Sequence, residues 1–433
     1  MTQPSRWTRS DLFRDHTPRR TGSQDGFVCT RGGTVTSLDI RSRLAATRRD
    51  APVVDADLYG PSALVDPQPL YRQIRDAGSV VWLPRHKVWA MGRFDDVRDA
   101  LRDHTNFRSG TGVAANPVAN LLGRKTTLSS DDTTHSVRRR TLMQSLTSRA
   151  IRPSLPALRE EAVATVERLL ERESFDGITD FASRLPVAAV ADLVGVKVQP
   201  SQLLTWGAGT FDGLGPMNRR ALDATPTALG LWLYTMRLRR SRVTPDGWAA
   251  SVFDAADRGE ISGHEARSMI IDFVAPSLDT TILATGQLLW SLGRDPQLYA
   301  QLRAEPDLVS TAVVEAVRVA SPIRGFTRRI ARDTVIDGVR LRAGERVVLL
   351  YAAANMDERH FDRPETFSLH RRGANLGWGH GIHTCVGMQL SKLEMQTLLQ
   401  VMISRVEKIE VSDPVPLSNN CLQGFSSFTA KFT

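Results

Sequence analysis

The chain has 433 residues, 41% hydrophobic and 24% charged, with a formal net charge of +9. That length and apolar content suit one large core and exclude a disordered or collagen-like chain. Three cysteines, at 29, 385 and 421, exclude a disulfide framework, and no run has the uninterrupted apolar length of a membrane span or secretory leader.

Residues 1–50 carry ten Arg and five acidic side chains without a lasting apolar period, which reads as a basic, disordered arm. The folded unit is expected at 51–433. Residues 66–77 form a short helix with Tyr71 and Ile74 inward. Runs 80–83 and 88–91 alternate about Arg85-His86-Lys87, the pattern of a hairpin. Phe94-Asp95-Asp96 opens a helix toward Leu101. His135 and Arg139 stand four apart, on one helix face, while Arg138 and Arg140 read as a solvated basic face. Helices follow over 158–171, 188–193 and 229–242.

Ser262-Gly263-His264-Glu265 is a capping box, and the apolar run after it continues to Gly293, about 30 residues of buried helix. Asp272, Asp279 and Gln287 interrupt it too often for a membrane span. Inside it lies Ala275-Pro276-Ser277-Leu278-Asp279-Thr280-Thr281. Pro276 removes one ladder N–H and crowds the Asp272 carbonyl. The Thr280 hydroxyl can bond to the Pro276 carbonyl, so the helix should open here. Taken alone, this is a kinked core helix with a buried Asp-Thr pair.

Glu315-Ala316-Val317-Arg318 lies in a helical run over 308–319, and its i, i+3 spacing allows an ion pair. Short strands fit 334–336 and 347–350. Then comes Gly377-Trp378-Gly379-His380-Gly381-Ile382-His383-Thr384-Cys385-Val386-Gly387, four glycines around one thiol with a helix directly after. Backbone N–H groups at a helix start favour the thiolate. A lone cysteine is more often a small buried hydrophobe than a ligand. Zinc fails on ligand count despite His380 and His383, and a phosphate loop would need a Lys. The tail, 411–432, has a turn at Asn419-Asn420 and reads as a closing hairpin.

The loop resembles the cysteine loop of the cytochrome P450 family, with Trp378 where the family usually has Phe. Glu315 and Arg318 match the family's structural pair. Its third partner normally comes from a Pro-x-x-Phe segment, here Pro364-Glu365-Thr366-Phe367, with Thr366 where Arg is common and Arg371 or Arg372 as substitutes. Asp279 and Thr280 match the acid–alcohol pair of the oxygen groove, with Pro276-Ser277 where Ala-Gly is more common. His135 and Arg139, Arg328, and His383 match the donors to the haem propionates.

The resemblance implies a mainly α fold with small β-sheets, a single domain in which haem b lies between a long central helix and the cysteine loop. It implies Cys385 as the iron ligand, Gly387 and Trp378 beside it, and Thr280 with Asp279 as the proton-delivering catalytic pair. The activity implied is a haem-thiolate monooxygenase that inserts one atom of O2 into a small hydrophobic substrate. The chain holds no flavin or ferredoxin motif, so NAD(P)H-derived electrons come from a separate ferredoxin and ferredoxin reductase, with Arg138 and Arg140 as docking charges. Nucleic acid and membrane insertion are not expected, and a soluble bacterial, cytoplasmic protein is. Alternatives are a peroxide-using haem-thiolate enzyme and a haem-binding sensor or carrier.

Four segments should line the substrate pocket: 107–122, 273–279, 322–327 and 421–426. Phe107, Val274, Ser277, Ile323 and Leu422 are the expected contacts. Arg324 is read as turned outward, with a substrate-carboxylate anchor as the rarer reading. Patches such as Ser174-Phe175-Asp176-Gly177 and 257–262 resemble bacterial members that hydroxylate or demethylate para-substituted benzoates, which points to an aromatic substrate, methoxylated or not, with or without a carboxylate.

Overall fold

The computed structural model describes residues 51–433. The basic arm, 1–50, lies outside the described residues. Ten short strands are interspersed among helices: β1 (Val81–Leu83), β2 (Val88–Met91), β3 (Phe107–Arg108), β4 (Phe175–Asp176), β5 (Phe326–Ile330), β6 (Thr334–Ile336), β7 (Val339–Leu341), β8 (Arg346–Leu349), β9 (Ile409–Pro416) and β10 (Phe425–Phe432).

The expected hairpin is β1–β2, with Val81 opposite Ala90 and Leu83 opposite Val88. Its turn ends at Lys87, whose φ is 50°. β2 then runs parallel to β8, and β8 pairs antiparallel with β5, giving the order β1-β2-β8-β5-β3. Every residue of β2 is buried, because this strand has neighbours on both edges and core on both faces. The tail hairpin is β9–β10, with β4 on the other edge of β10.

The larger hydrophobic core gathers on the Asp279–Arg294 helix. Leu288, Leu289 and Leu292 are buried there with Val313 and Ala316 of the Val309–Ala320 helix and with Leu398 and Met402 of the Met388–Arg405 helix. The last of these helices buries residues around most of its circumference, as expected of an element inside a large protein. The stretch 263–294 is long and apolar enough to cross a membrane by length and composition, yet 67% of that window is buried inside the protein.

The expected single central helix is two helices, Gly263–Val274 and Asp279–Arg294, separated at 275–278. The Ser262/Glu265 capping box is present. At the break hydroxyls take over from the missing ladder: Ser277 Oγ donates to the Phe273 carbonyl (2.5 Å) and Thr280 Oγ1 to the Pro276 carbonyl (2.8 Å).

A buried ion pair fixes the approach to the cysteine loop. Arg318 grips Glu315 with two hydrogen bonds of 2.8 Å, and both side chains are almost fully buried. Arg371 supplies the third member, its Nε donating to Glu315 Oε1 at 2.9 Å. Arg318 also donates to the Asn355 carbonyl, and Asn355 Oδ1 accepts from the Leu376 backbone N–H, both at 2.8 Å. The next residue is Gly377, pressed so closely onto the Val309–Ala320 helix that a Cβ would lie 2.8 Å from the Val317 carbonyl.

Candidate active site

One cavity of about 620 Å³ lies between the helix break at 275–278, the cysteine loop and a cover of three helices, Pro117–Gly123, Pro200–Leu214 and Arg219–Arg237. Cys385 forms part of its floor. The sulfur is open to the cavity but remote from bulk solvent. Burial pushes its pKa up, while the Gly387 and Met388 backbone N–H groups and the Arg139 charge pull it down. Both N–H groups come from the turn that starts the Met388–Arg405 helix, so the helix-start geometry expected from the sequence is present. The loop is tied by the Cys385 N–H, which donates to the Trp378 carbonyl at 2.8 Å. Gly379 and Gly381 both have φ of +70°, and a Cβ at Gly381 would meet the Leu101 carbonyl at 2.5 Å, so this turn requires glycine. Trp378 also lines the cavity, and Lys392 Nζ lies 4.9 Å from its ring centroid.

His135, Arg139, Arg328 and His383 converge on the same cavity. The two imidazole rings are 4.3 Å apart, and each leaves a buried Nε2 without a hydrogen-bond partner. Arg328, 2% exposed, spends its guanidinium on the Thr327 carbonyl and the Tyr351 hydroxyl. No carboxylate among the described residues pairs with Arg139 or Arg328 in an ion pair. Burial, then Arg139, presses the His135 pKa down to about 4; burial, then Arg328, presses that of His383 to about 2. Four donors crowded in a dry place, without an anion, are set up for one. A thiol on the floor, unpaired cationic donors at the rim and an otherwise apolar cavity match the needs of haem: one soft axial ligand, partners for two propionates and a slot for the macrocycle. Among the described residues no group of three or more His, Cys, Asp or Glu side chains is arranged to hold a bare metal ion.

Thr280 and Ser277 face the cavity beside the break. Asp279 does not: its carboxyl turns toward the Pro200–Leu214 helix, where Oδ2 is buried and unpartnered. Burial pushes its pKa up to about 7.

Of the expected substrate contacts, Ser277 and Ile323 line the cavity, while Phe107, Val274 and Leu422 do not. Phe107 is spent on the β3–β5 pairing and its core. Val274 is fully buried in the main core, and Leu422 is 1% exposed behind Ile323, with which it forms an isolated bridge. No residue of 421–426 reaches the cavity. The walls that sequence reasoning missed come from the two cover helices over 200–237, including Phe211, Leu214, Leu222 and Trp232. The half-buried acid Asp272 was also missed as a wall: it accepts the Thr127 N–H at 2.7 Å, and desolvation of its carboxyl raises its pKa to about 6.

Two arginine readings need correction. Arg138 is no docking charge: it is 3% exposed, paired with Glu265 at 2.8 Å and bonded to the Thr126 carbonyl. Arg324 is not turned outward, and it does not anchor substrate. It is buried, donating to the carbonyls of Ala63, Leu64 and Leu422.

Comparison with known proteins agrees with this architecture. The family model for cytochrome P450 matches residues 240–428. Cytochrome P450 CYP199A2 of Rhodopseudomonas palustris is 29% identical over 390 residues, covering 88% of this chain and 95% of its own. Over residues 240–428 the chain matches the cytochrome P450 family. A second relative, cytochrome P450 144 of Mycobacterium tuberculosis, is 29% identical over 377 residues, or 82% of this chain and 86% of that one. Among solved structures, P450BioI in complex with hexadec-9Z-enoic acid ligated acyl carrier protein superposes with a TM-score of 0.78 at 22% identity, over 86% of this chain and 100% of that one. The protein thus has the mainly helical, single-domain cytochrome P450 fold, and the family it matches is one of monooxygenases.

Proposed function

We propose that residues 51–433 form a haem-thiolate monooxygenase domain that inserts one atom of O2 into a small, uncharged aromatic substrate by hydroxylation or O-demethylation. The observation that carries this reading is the convergence of Cys385 and four anion-seeking donors on one apolar cavity. Haem b would supply dioxygen binding and reduction at an iron held by thiolate.

The rest falls to the chain. Cys385 ligates as thiolate, with its charge stabilised by the Gly387 and Met388 N–H groups. His135, Arg139, Arg328 and His383 take the propionates. Trp378 and Gly387 pack by the sulfur. Thr280 and Asp279 pass protons to the cavity, Thr280 from the groove and Asp279 from behind it. Electrons derived from NAD(P)H arrive through a ferredoxin and its reductase. Arg140, exposed, and Arg102, whose Nε donates to His380 of the cysteine loop at 3.0 Å, supply docking charge on this side. We place the protein in the cytoplasm.

The uncharged substrate follows from where the cations are. Arg139 and Arg328 are the Lys or Arg side chains on the wall, both beside the paired histidines, and Arg324 is committed to backbone carbonyls. A benzoate carboxylate deep in this cavity would lack a partner and carry the cost of a buried charge.

Carbon monoxide added to the reduced protein should give the red-shifted Soret band of thiolate ligation, and Cys385→His should abolish that band while leaving bound haem; a parent band typical of His ligation overturns the assignment. A panel of aryl methyl ethers should shift the haem from low to high spin, and the matching benzoates should not. Silence of the ethers alongside a response to fatty acids or terpenes rejects the substrate class.

A further inference from the structure

Asp279 is the acid of the proton-delivering pair, yet it is stowed outside the cavity. Its Oδ2 lies against the Pro200–Leu214 helix at Gly207. A Cβ at position 207 would lie 2.2 Å from Oδ2 and 3.4 Å from the Ala275 carbonyl. Optimal carbon contacts are about 3.5–4.0 Å, so any side chain there would evict the carboxyl. The slot exists because residue 207 is glycine. No cation holds the carboxyl in place, since among the described residues no ion pair includes Asp279, and Oδ2 accepts no hydrogen bond.

The same helix also forms the cavity wall. Phe211 and Leu214, four and seven residues after Gly207, share its face and line the cavity. Whatever fills the cavity presses on the surface that closes the slot.

We propose that Gly207 is a positioning residue for Asp279. Its missing side chain gives the carboxyl a dry resting slot between two helices, from which it rotates to serve Thr280, and the helix carrying Phe211 and Leu214 sets the slot's width according to cavity filling. This rests on reading Asp279 and Thr280 as the proton-delivering pair. Each turnover consumes two protons as one oxygen atom is inserted and the other leaves as water; for each, a proton leaves the Asp279 carboxyl toward the Thr280 hydroxyl, the hydroxyl passes its own to the cavity, and one from solvent replaces it.

A double-mutant cycle tests it on the haem-loaded full chain, using Gly207→Ala, Asp279→Ala and the double variant. The first readout is the thermal midpoint, which needs no substrate. Gly207→Ala should lower it when Asp279 is present, and should leave it unchanged or raise it when residue 279 is Ala, because a helix-interior Gly→Ala exchange is otherwise favourable. The second readout is the fraction of NAD(P)H electrons lost as hydrogen peroxide, with 1,4-dimethoxybenzene as the probe. Gly207→Ala should raise that fraction about twofold or more with Asp279 present, and should not change it further in the Asp279→Ala background. Equal effects of Gly207→Ala in both backgrounds overturn the proposal and leave Gly207 as a packing residue. If Asp279→Ala alone leaves the peroxide fraction at the parent value, the proton-pair reading fails, while the midpoint cycle still decides whether 207 and 279 share a slot. Should Gly207→Ala not accumulate folded, a folded double variant supports the proposal and an equally unfolded one overturns it.

Discussion

At the scale of single residues, the informative side chains are arginines that bond to backbone rather than to acids. Arg324 donates to Ala63 and Leu64 at the end of the Pro61–Val65 helix and to Leu422 in the tail, joining three distant segments. It is 3% exposed, so its removal would leave buried carbonyls without donors. Arg324→Ala should therefore cost about 3 kcal/mol or more, read as a lower urea midpoint, while the Soret band of the folded fraction stays unchanged. A change in substrate-induced spin shift at parent stability would return Arg324 to the pocket. That Cys385, His135 and Arg139 come together on one cavity was legible in the sequence through the resemblance, because such a motif sets particular residue types at particular spacings. Arg324 and Arg138 were not. Their partners are carbonyls 12 to 261 residues away and one acid 127 residues away, and every residue has a carbonyl.

The break at 275–278 is the element that matters most for chemistry. Proline, serine and threonine act together there, with Pro276 withholding an N–H and two hydroxyls bonding back to carbonyls. This was readable, since all of its causes are local. Thr280→Ala removes the hydroxyl that faces the cavity but leaves the helix break to Pro276. Substrate-induced spin shift should persist, while product per electron drops about tenfold or more and peroxide takes its place; unchanged coupling would remove Thr280 from proton delivery. The cover helix Pro200–Leu214 and the first half of Arg219–Arg237 were the main element-level omission, since the expected helix over 229–242 caught only the end of the second. Arg219–Arg237 contains Pro226, and much of its surface is neither clearly buried nor clearly exposed, because one side faces the cavity. A helix whose inner face meets a ligand rather than a core shows little of the 3.6-residue contrast on which helix reading depends.

At the scale of the molecule, the described residues include desolvated acids that have no ion-pair partner among them. Glu394, on the Met388–Arg405 helix, is 2% exposed, and neither carboxylate oxygen has a hydrogen-bond partner. Burial drives its pKa up to about 8. Asp272 and Asp279 are raised by burial in the same direction, to about 6 and about 7. The unfolded chain releases these protons near the ordinary carboxylate range, about pH 4. Between that value and the folded pKa the native state therefore binds more protons than the unfolded state, and stability falls as pH rises. The contribution is fully present below the unfolded pKa and is lost as pH climbs through about 8 for Glu394. The thermal midpoint should decline from mildly acidic to alkaline pH more steeply in the parent than in Glu394→Gln. That variant replaces a carboxyl forced to ionise with a neutral group of similar shape, so its advantage over the parent should be small near pH 4 and grow up to about pH 8. Parallel pH curves for the two proteins would mean that Glu394 is hydrated in solution and carries an ordinary carboxylate.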